Sequence, residues 1–89
     1  MKITVDISMY PLSEDYVPSI KAFIHQLRKF PGIEMVTNQL STQLTGEFAA
    51  VTNALNACMK ESMADSGRMV FVVRYLNVGL EINRLPHID

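Results

Sequence analysis

Apolar and polar positions alternate without a break from Lys2 to Tyr10. Ile3, Val5, Ile7 and Met9 are interleaved with Thr4, Asp6, Ser8 and Tyr10, which is the period of a strand with one face buried. One face is aliphatic; the other carries a carboxylate, two hydroxyls and a phenol. Pro11 has no backbone donor and is expected to stop the ladder. The period then becomes helical: Ile20, Phe23, Ile24, Leu27 and Phe30 form a stripe, with Lys21, Gln26 and Lys29 on the opposite side. Ser13, Glu14 and Asp15 offer cap chemistry and first-turn negative charge, so a helix is expected to begin near Asp15, with Pro18 tolerated inside its first turn. Pro31-Gly32 ends it.

The stretch Met35 to Phe48 reads as a hairpin around which the rest of the chain is arranged. Val36, Leu40 and Leu44 fall on one parity and Thr37, Gln39, Ser41, Gln43 and Thr45 on the other, predicting an apolar and a polar face with a turn near Gln39. From Thr37 to Gly46 there are four hydroxyls and three amides but no Lys, Arg, Asp or Glu. Such a face serves either as a hydrogen-bonding wall for a small polar ligand or simply as a strand rich in β-formers. Gly46-Glu47 then opens a second helix, with Phe48, Val51, Leu55, Cys58 and Met59 on its apolar stripe opposite Asn53, Asn56 and Lys60. Asp65-Ser66-Gly67 closes it. Arg68 to Leu76 is the last strand, apolar on both faces apart from Arg74, so one face can meet the helices and the other must meet another subunit or a ligand.

The order β-α-β-β-α-β predicts an α+β, ferredoxin-like fold: a four-stranded antiparallel sheet with two helices on one face. Residues 1–77 make the domain. Residues 78–89 are a tail, expected to be either a short extra strand or an arm that packs on a second subunit.

Composition narrows the function. The chain has 89 residues, 48% of them hydrophobic, and a net charge of −1 from 8 basic and 9 acidic residues. Its mean hydropathy is +0.13. That apolar surplus in a small domain predicts a homo-oligomer, a dimer or a tetramer. No Lys/Arg block suits nucleic acid, no apolar run suits membrane insertion, and the N-terminus reads as a strand rather than a signal peptide, so a cytoplasmic location is expected. The single cysteine, Cys58, agrees with a reducing compartment and reads as a buried small hydrophobe. Two separated histidines, His25 and His87, without a Cys or carboxylate cluster make a poor metal site, and neither metal nor cofactor is called for.

Four segments in order, ISMYPL, DYVPSIKAFI, TNQLSTQLTGE and GRMVFVVRYLN, resemble the YkoF-related family of thiamine- and hydroxymethylpyrimidine-binding proteins with ferredoxin-like domains. The resemblance spans roughly residues 3 to 77. It implies binding rather than catalysis, in thiamine salvage or transport. The family's namesake has two such domains in one chain, so a two-fold dimer would supply the second here.

Strand facing gathers candidate ligand contacts on the open face and in the hairpin: Asp6, Ser8, Tyr10, Asn38, Ser41, Thr42 and Gln43. An aminopyrimidine needs an acceptor for its exocyclic amine, for which Asp6 or Asn38 would serve, and donors for its ring nitrogens, supplied by Ser8, Ser41, Thr42 or Gln43. Tyr10, Tyr75 and methionines are expected to form its apolar wall. Asp6 also has a plainer use, pairing with Lys2 or Arg74, and Asn38 a plainer use as a turn residue. With Arg74 and Lys2 as the available cations, unphosphorylated ligands are expected to be preferred. Two other classes stay open: a dimeric ferredoxin-like enzyme using Asp6 or His25 as acid/base, and an assembly module without a ligand.

Overall fold

The computed structural model describes residues 1–65 and 67–88. Ser66, assigned from the sequence a share in closing the second helix, and Asp89 at the end of the tail lie outside the described residues. The chain runs β1 (Lys2–Pro11), α1 (Val17–Arg28), β2 (Ile33–Thr37), β3 (Thr42–Glu47), α2 (Phe48–Asp65) and β4 (Met69–Leu76). The four strands form one sheet in the order β2-β3-β1-β4, and every neighbouring pair is antiparallel. This is the ferredoxin-like arrangement expected from the order of periods.

The alternation in β1 sets the two layers. Ile3, Val5 and Ile7 are buried, and opposite them in register stand Gly46, Leu44 and Thr42 of β3. Val5, Ile7 and Met9 pair on the other side with Tyr75, Val73 and Phe71 of β4. Paired residues share a face, so this is the side the helices cover. Phe23 and Leu27 of α1 and Val51, Ala54, Leu55 and Cys58 of α2 close the core. Phe23 meets Phe71 with ring centroids 5.2 Å apart and planes at 44°, a tilted aromatic contact.

Three local outcomes differ from the sequence reading. Helix α1 begins at Val17 rather than near Asp15: Tyr16 occupies the cap, no side chain caps the helix, and Ser13, Glu14 and Asp15 precede it. Pro18 is the physical reason, since it needs a place in the first turn, where its missing N–H costs nothing. In the hairpin, Asn38 to Ser41 is a turn that resets the alternation. Leu44 and Thr42 therefore face the core, Leu40 stands 88% exposed at the tip, and Val36 pairs with Gln43 on the open face rather than sharing a face with Leu44. Phe48, the first residue of α2, is exposed; its N–H is held by the Met1 carbonyl at 2.9 Å, which ties the helix start to the beginning of β1.

Two glycines are needed where they stand. Gly32, after α1, has φ +79°, in the left-handed region that suits glycine. A Cβ on Gly46 would lie 2.7 Å from the Gly32 carbonyl oxygen, so β3 can run beside the α1–β2 turn only without a side chain there. After β4 no further strand forms among residues 77–88. The tail instead crosses the open face of its own sheet: the Thr4 hydroxyl donates to the Val78 carbonyl at 2.7 Å and accepts from the Leu80 N–H at 2.8 Å, and farther along the Asn83 amide donates to Glu34 at 3.4 Å.

Candidate functional site

A cleft of about 440 Å³ opens where β1 ends, α1 begins and the β2–β3 hairpin turns. Three stretches build it. The end of β1 contributes Ile7 and Met9 from its inward face and Ser8 and Tyr10 from its outward face. Helix α1 contributes Ile20, Phe23 and Ile24, preceded by Tyr16. The hairpin contributes Thr37 to Thr42. The floor is thus aliphatic and aromatic, the hairpin side is hydroxyl and amide, and two phenols stand at the ends. Among the described residues, no Lys, Arg, His, Asp or Glu lines the cleft.

The hairpin wall is held by its own polar groups. Asn38 closes the turn: its side-chain oxygen accepts from the Leu40 N–H at 2.9 Å and the Ser41 N–H at 3.1 Å, while its backbone N–H reaches the Ser41 carbonyl at 3.0 Å. An Asx turn of this kind needs no glycine, and no non-glycine residue among those described adopts positive φ. Across the base of the hairpin the Thr37 and Thr42 hydroxyls lie 3.0 Å apart and share one hydrogen bond. The Ser8 hydroxyl reaches the Leu40 carbonyl at 3.5 Å, a long and weak contact.

Asp6 stands behind this wall, on the open face. Its Oδ1 accepts from the Ser41 hydroxyl at 2.6 Å, and its Oδ2 accepts from Arg74 Nη2 at 2.8 Å and Nε at 3.2 Å. Burial raises the carboxyl's proton affinity, but the hydrogen bonds from Ser41 and Arg74 together with the Arg74 charge outweigh it and hold the pKa below the ordinary carboxylate value. Asp6 therefore anchors a residue of the cleft wall and is itself outside the lining.

Of the seven residues singled out from the sequence, the cleft brings together Ser8, Tyr10, Asn38, Ser41 and Thr42, and leaves out Asp6 and Gln43. Gln43 lies on the open face beside Asp6. Thr42 reaches the cleft from the inward face, buried and opposite Ile7, because it shares the parity of Leu44. The Asn38 side-chain oxygen belongs to the turn. Tyr75 does not contribute: it pairs with Val5, far along β4 from the cleft. Sequence reasoning missed Tyr16, Ile20 and Ile24 as lining residues. The stripe containing Ile20 and Ile24 was legible, but periodicity cannot separate a core face from a cleft wall.

Cys58 lies on the buried side of α2, 1% exposed. Burial, with a smaller contribution from Glu61, pushes its thiol pKa up, so it stays protonated at neutral pH. No helix among the described residues is long and apolar enough to cross a membrane.

Comparison with known proteins places the chain among relatives. The family described as the YKOF-related family matches residues 2–80, which includes the first residues of the tail, beyond the end of the resemblance read from the four segments. No curated protein matches. Among solved structures, a Streptococcus pneumoniae protein superposes with a TM-score of 0.80 at 23% identity, over 92% of this chain and 91% of that one. A hypothetical protein of Methanocaldococcus jannaschii gives 0.76 at 20% identity, over 86% of this chain and 80% of the other. A Thermotoga maritima protein provisionally assigned to thiamine biosynthesis or salvage gives 0.75 at 17% identity, over 97% of this chain and 90% of the other.

Proposed function

Because the chain belongs to the YKOF-related family, we propose that it binds the hydroxymethylpyrimidine moiety of thiamine, free or within unphosphorylated thiamine, for salvage or transport. The observation that carries this reading is the character of the cleft. It is lined by an apolar floor, by hydroxyl and amide groups on one side and by Tyr10 and Tyr16, with no charged side chain among the described residues. A flat heteroaromatic ring fits an apolar slot rimmed by a few hydrogen-bonding groups, and the Asn38 amide and the Ser41, Thr42 and Ser8 hydroxyls supply both donors and acceptors. The assignment of the Thermotoga relative to thiamine biosynthesis or salvage points the same way.

The same neutrality sets the preference among ligands. A phosphate needs cations or a cluster of free N–H donors, and Arg74 is already engaged by Asp6 outside the lining. The diphosphate therefore binds more weakly than the free pyrimidine alcohol. The activity is binding without turnover, since the lining offers no carboxylate, imidazole or thiol among the described residues to move a proton. In this reading the protein works in the cytoplasm as a homo-oligomer.

Isothermal titration with hydroxymethylpyrimidine, thiamine and thiamine diphosphate tests the reading. Micromolar or tighter binding of the first two, at one site per subunit or per dimer, is the expected result. Equal or tighter binding of the diphosphate would overturn the preference, and no heat or thermal shift with any of the three would overturn the ligand class.

A further inference from the structure

The polar groups on the hairpin side of the cleft differ in how far their hydrogen-bonding direction is already set. The Asn38 side-chain oxygen accepts from the Leu40 and Ser41 N–H groups. The Thr37 and Thr42 hydroxyls lie 3.0 Å apart and either can donate to the other, so this pair can turn a proton or a lone pair toward a guest. Ser41 has no such choice. Its hydroxyl donates to Asp6 Oδ1 at 2.6 Å, and an ionised carboxylate only accepts. The ionised form is held in place from the far side, where Arg74 donates to Oδ2 through Nη2 at 2.8 Å and Nε at 3.2 Å. These bonds and the Arg74 charge keep the carboxyl below its ordinary pKa in spite of its partial burial. A serine hydroxyl carries one proton, and here Asp6 takes it. Ser41, which lines the cleft, therefore meets a guest as an acceptor alone.

From this chain of bonds, Arg74 to Asp6 to Ser41, we propose that Asp6 is a positioning residue that makes the cleft select a heteroaromatic amine over its oxo counterpart. The proposal rests on the pyrimidine reading above and names the feature of the ring that the site reads. In an aminopyrimidine the exocyclic nitrogen donates and the neighbouring ring nitrogen accepts; in the oxo form the exocyclic oxygen accepts and the ring nitrogen carries the proton. An amine N–H finds a lone pair on Ser41 Oγ. An oxo group in the same place brings two acceptors together with no proton between them, and both are left without a partner. Sites that hydrogen-bond a ligand group reject the analogue lacking it for this reason.

An amide at position 6 has nearly the shape of the carboxylate but a different polarity. The Arg74 fork needs an oxygen, so the side-chain oxygen of Asp6→Asn would stay with Arg74 and its NH2 would turn to Ser41. Ser41 Oγ then accepts from that NH2, and its own proton is released toward the cleft. The group that read an amine would now read an oxo oxygen.

Calorimetric titration of hydroxymethylpyrimidine and of its 4-oxo counterpart into the wild type, Asp6→Asn and Ser41→Ala provides the test, with far-UV circular dichroism to confirm folding. The wild type is expected to prefer the amine at least ~10-fold, the scale of one unsatisfied hydrogen-bonding group. Asp6→Asn is expected to weaken the amine and tighten the oxo form, so that the preference is lost or reversed. Loosening of Ser41 by itself would weaken both ligands in proportion, so an unchanged preference in folded Asp6→Asn would overturn the proposal. Ser41→Ala is expected to abolish the preference and decides the matter if Asp6→Asn fails to fold; a wild-type preference retained there would equally overturn it. Equal binding of the two ligands by the wild type would overturn this inference and leave the ligand class standing. Binding of neither would overturn the ligand class and the inference with it.

Discussion

Asp6 links the cleft wall to the open face, with one oxygen on Ser41 and the other on Arg74. Its side chain is 21% exposed and that of Arg74 is 78% exposed, so solvent screens the ion pair and the shorter bond to Ser41 matters more. Asp6→Asn is expected to cost about 1 kcal/mol of stability at pH 7, read as a shift in the urea midpoint. It is also expected to weaken hydroxymethylpyrimidine binding about fivefold or more, through a loosened Ser41 rather than a lost ligand contact. An unchanged affinity in the folded variant would show that Ser41 needs no anchor. The cost depends on pH with a definite sign. The folded carboxyl has the lower pKa, so its stabilisation is present above the unfolded value near 4 and disappears as the pH falls from there through the folded value. Urea midpoints of the wild type and Asp6→Asn should therefore converge in acid. The alternation in β1 was enough to place Asp6 on the open face and to offer Lys2 or Arg74 as its partner, of which the structure shows Arg74; its bond to Ser41 depended on a register that no local pattern encodes.

Among the elements, the hairpin governs the site. Its turn is closed by the Asn38 side chain, without the glycine that would mark a turn in the sequence. Because strand facing has a period of two, placing the turn at Asn38 to Ser41 decided the facing of every residue on either side of it. Leu40 left the apolar face for the tip, and Val36 turned to the open face opposite Gln43, while Thr42 stayed on the inward face with Leu44. Strand β3 also depends on Gly46. Gly46→Ala would press a Cβ against the Gly32 carbonyl, 2.7 Å away, and is expected to destabilise the protein by about 2 kcal/mol, measurable by urea denaturation. Helix α2 allows a different check. Cys58 is buried with a raised pKa, so its alkylation by iodoacetamide at pH 7.5 should be at least ~100-fold slower in the native protein than in urea.

For the molecule as a whole, the tail, a strap across the open face, has no helix or strand among its described residues 77–88 and is held through Thr4 and Glu34. A chain ending at residue 77 is expected to keep its far-UV spectrum and lose about 5 °C in Tm, the size of a ~1 kcal/mol change in a domain of this length. Loss of all structure on truncation would show instead that the strap is part of the folding unit. The cleft lies at the opposite end of the sheet, so hydroxymethylpyrimidine binding should survive the truncation, which a titration would show.

What the sequence determined by itself was the order of elements and the inside of the fold. The periods in β1, α1, α2 and β4 are each sustained long enough to identify an element and its buried side, and that order admits few topologies. It also identified five of the residues that meet in the cleft. The tertiary structure alone decided that these five share a cavity with Tyr16, Ile20 and Ile24, that Asp6 stands behind the wall, and that the tail lies back across its own sheet. Each of these depends on contacts between residues far apart in the chain, such as Asp6 with Ser41 and Thr4 with Val78, and periodicity reports a residue's facing within one element but not what the neighbouring element places in front of it.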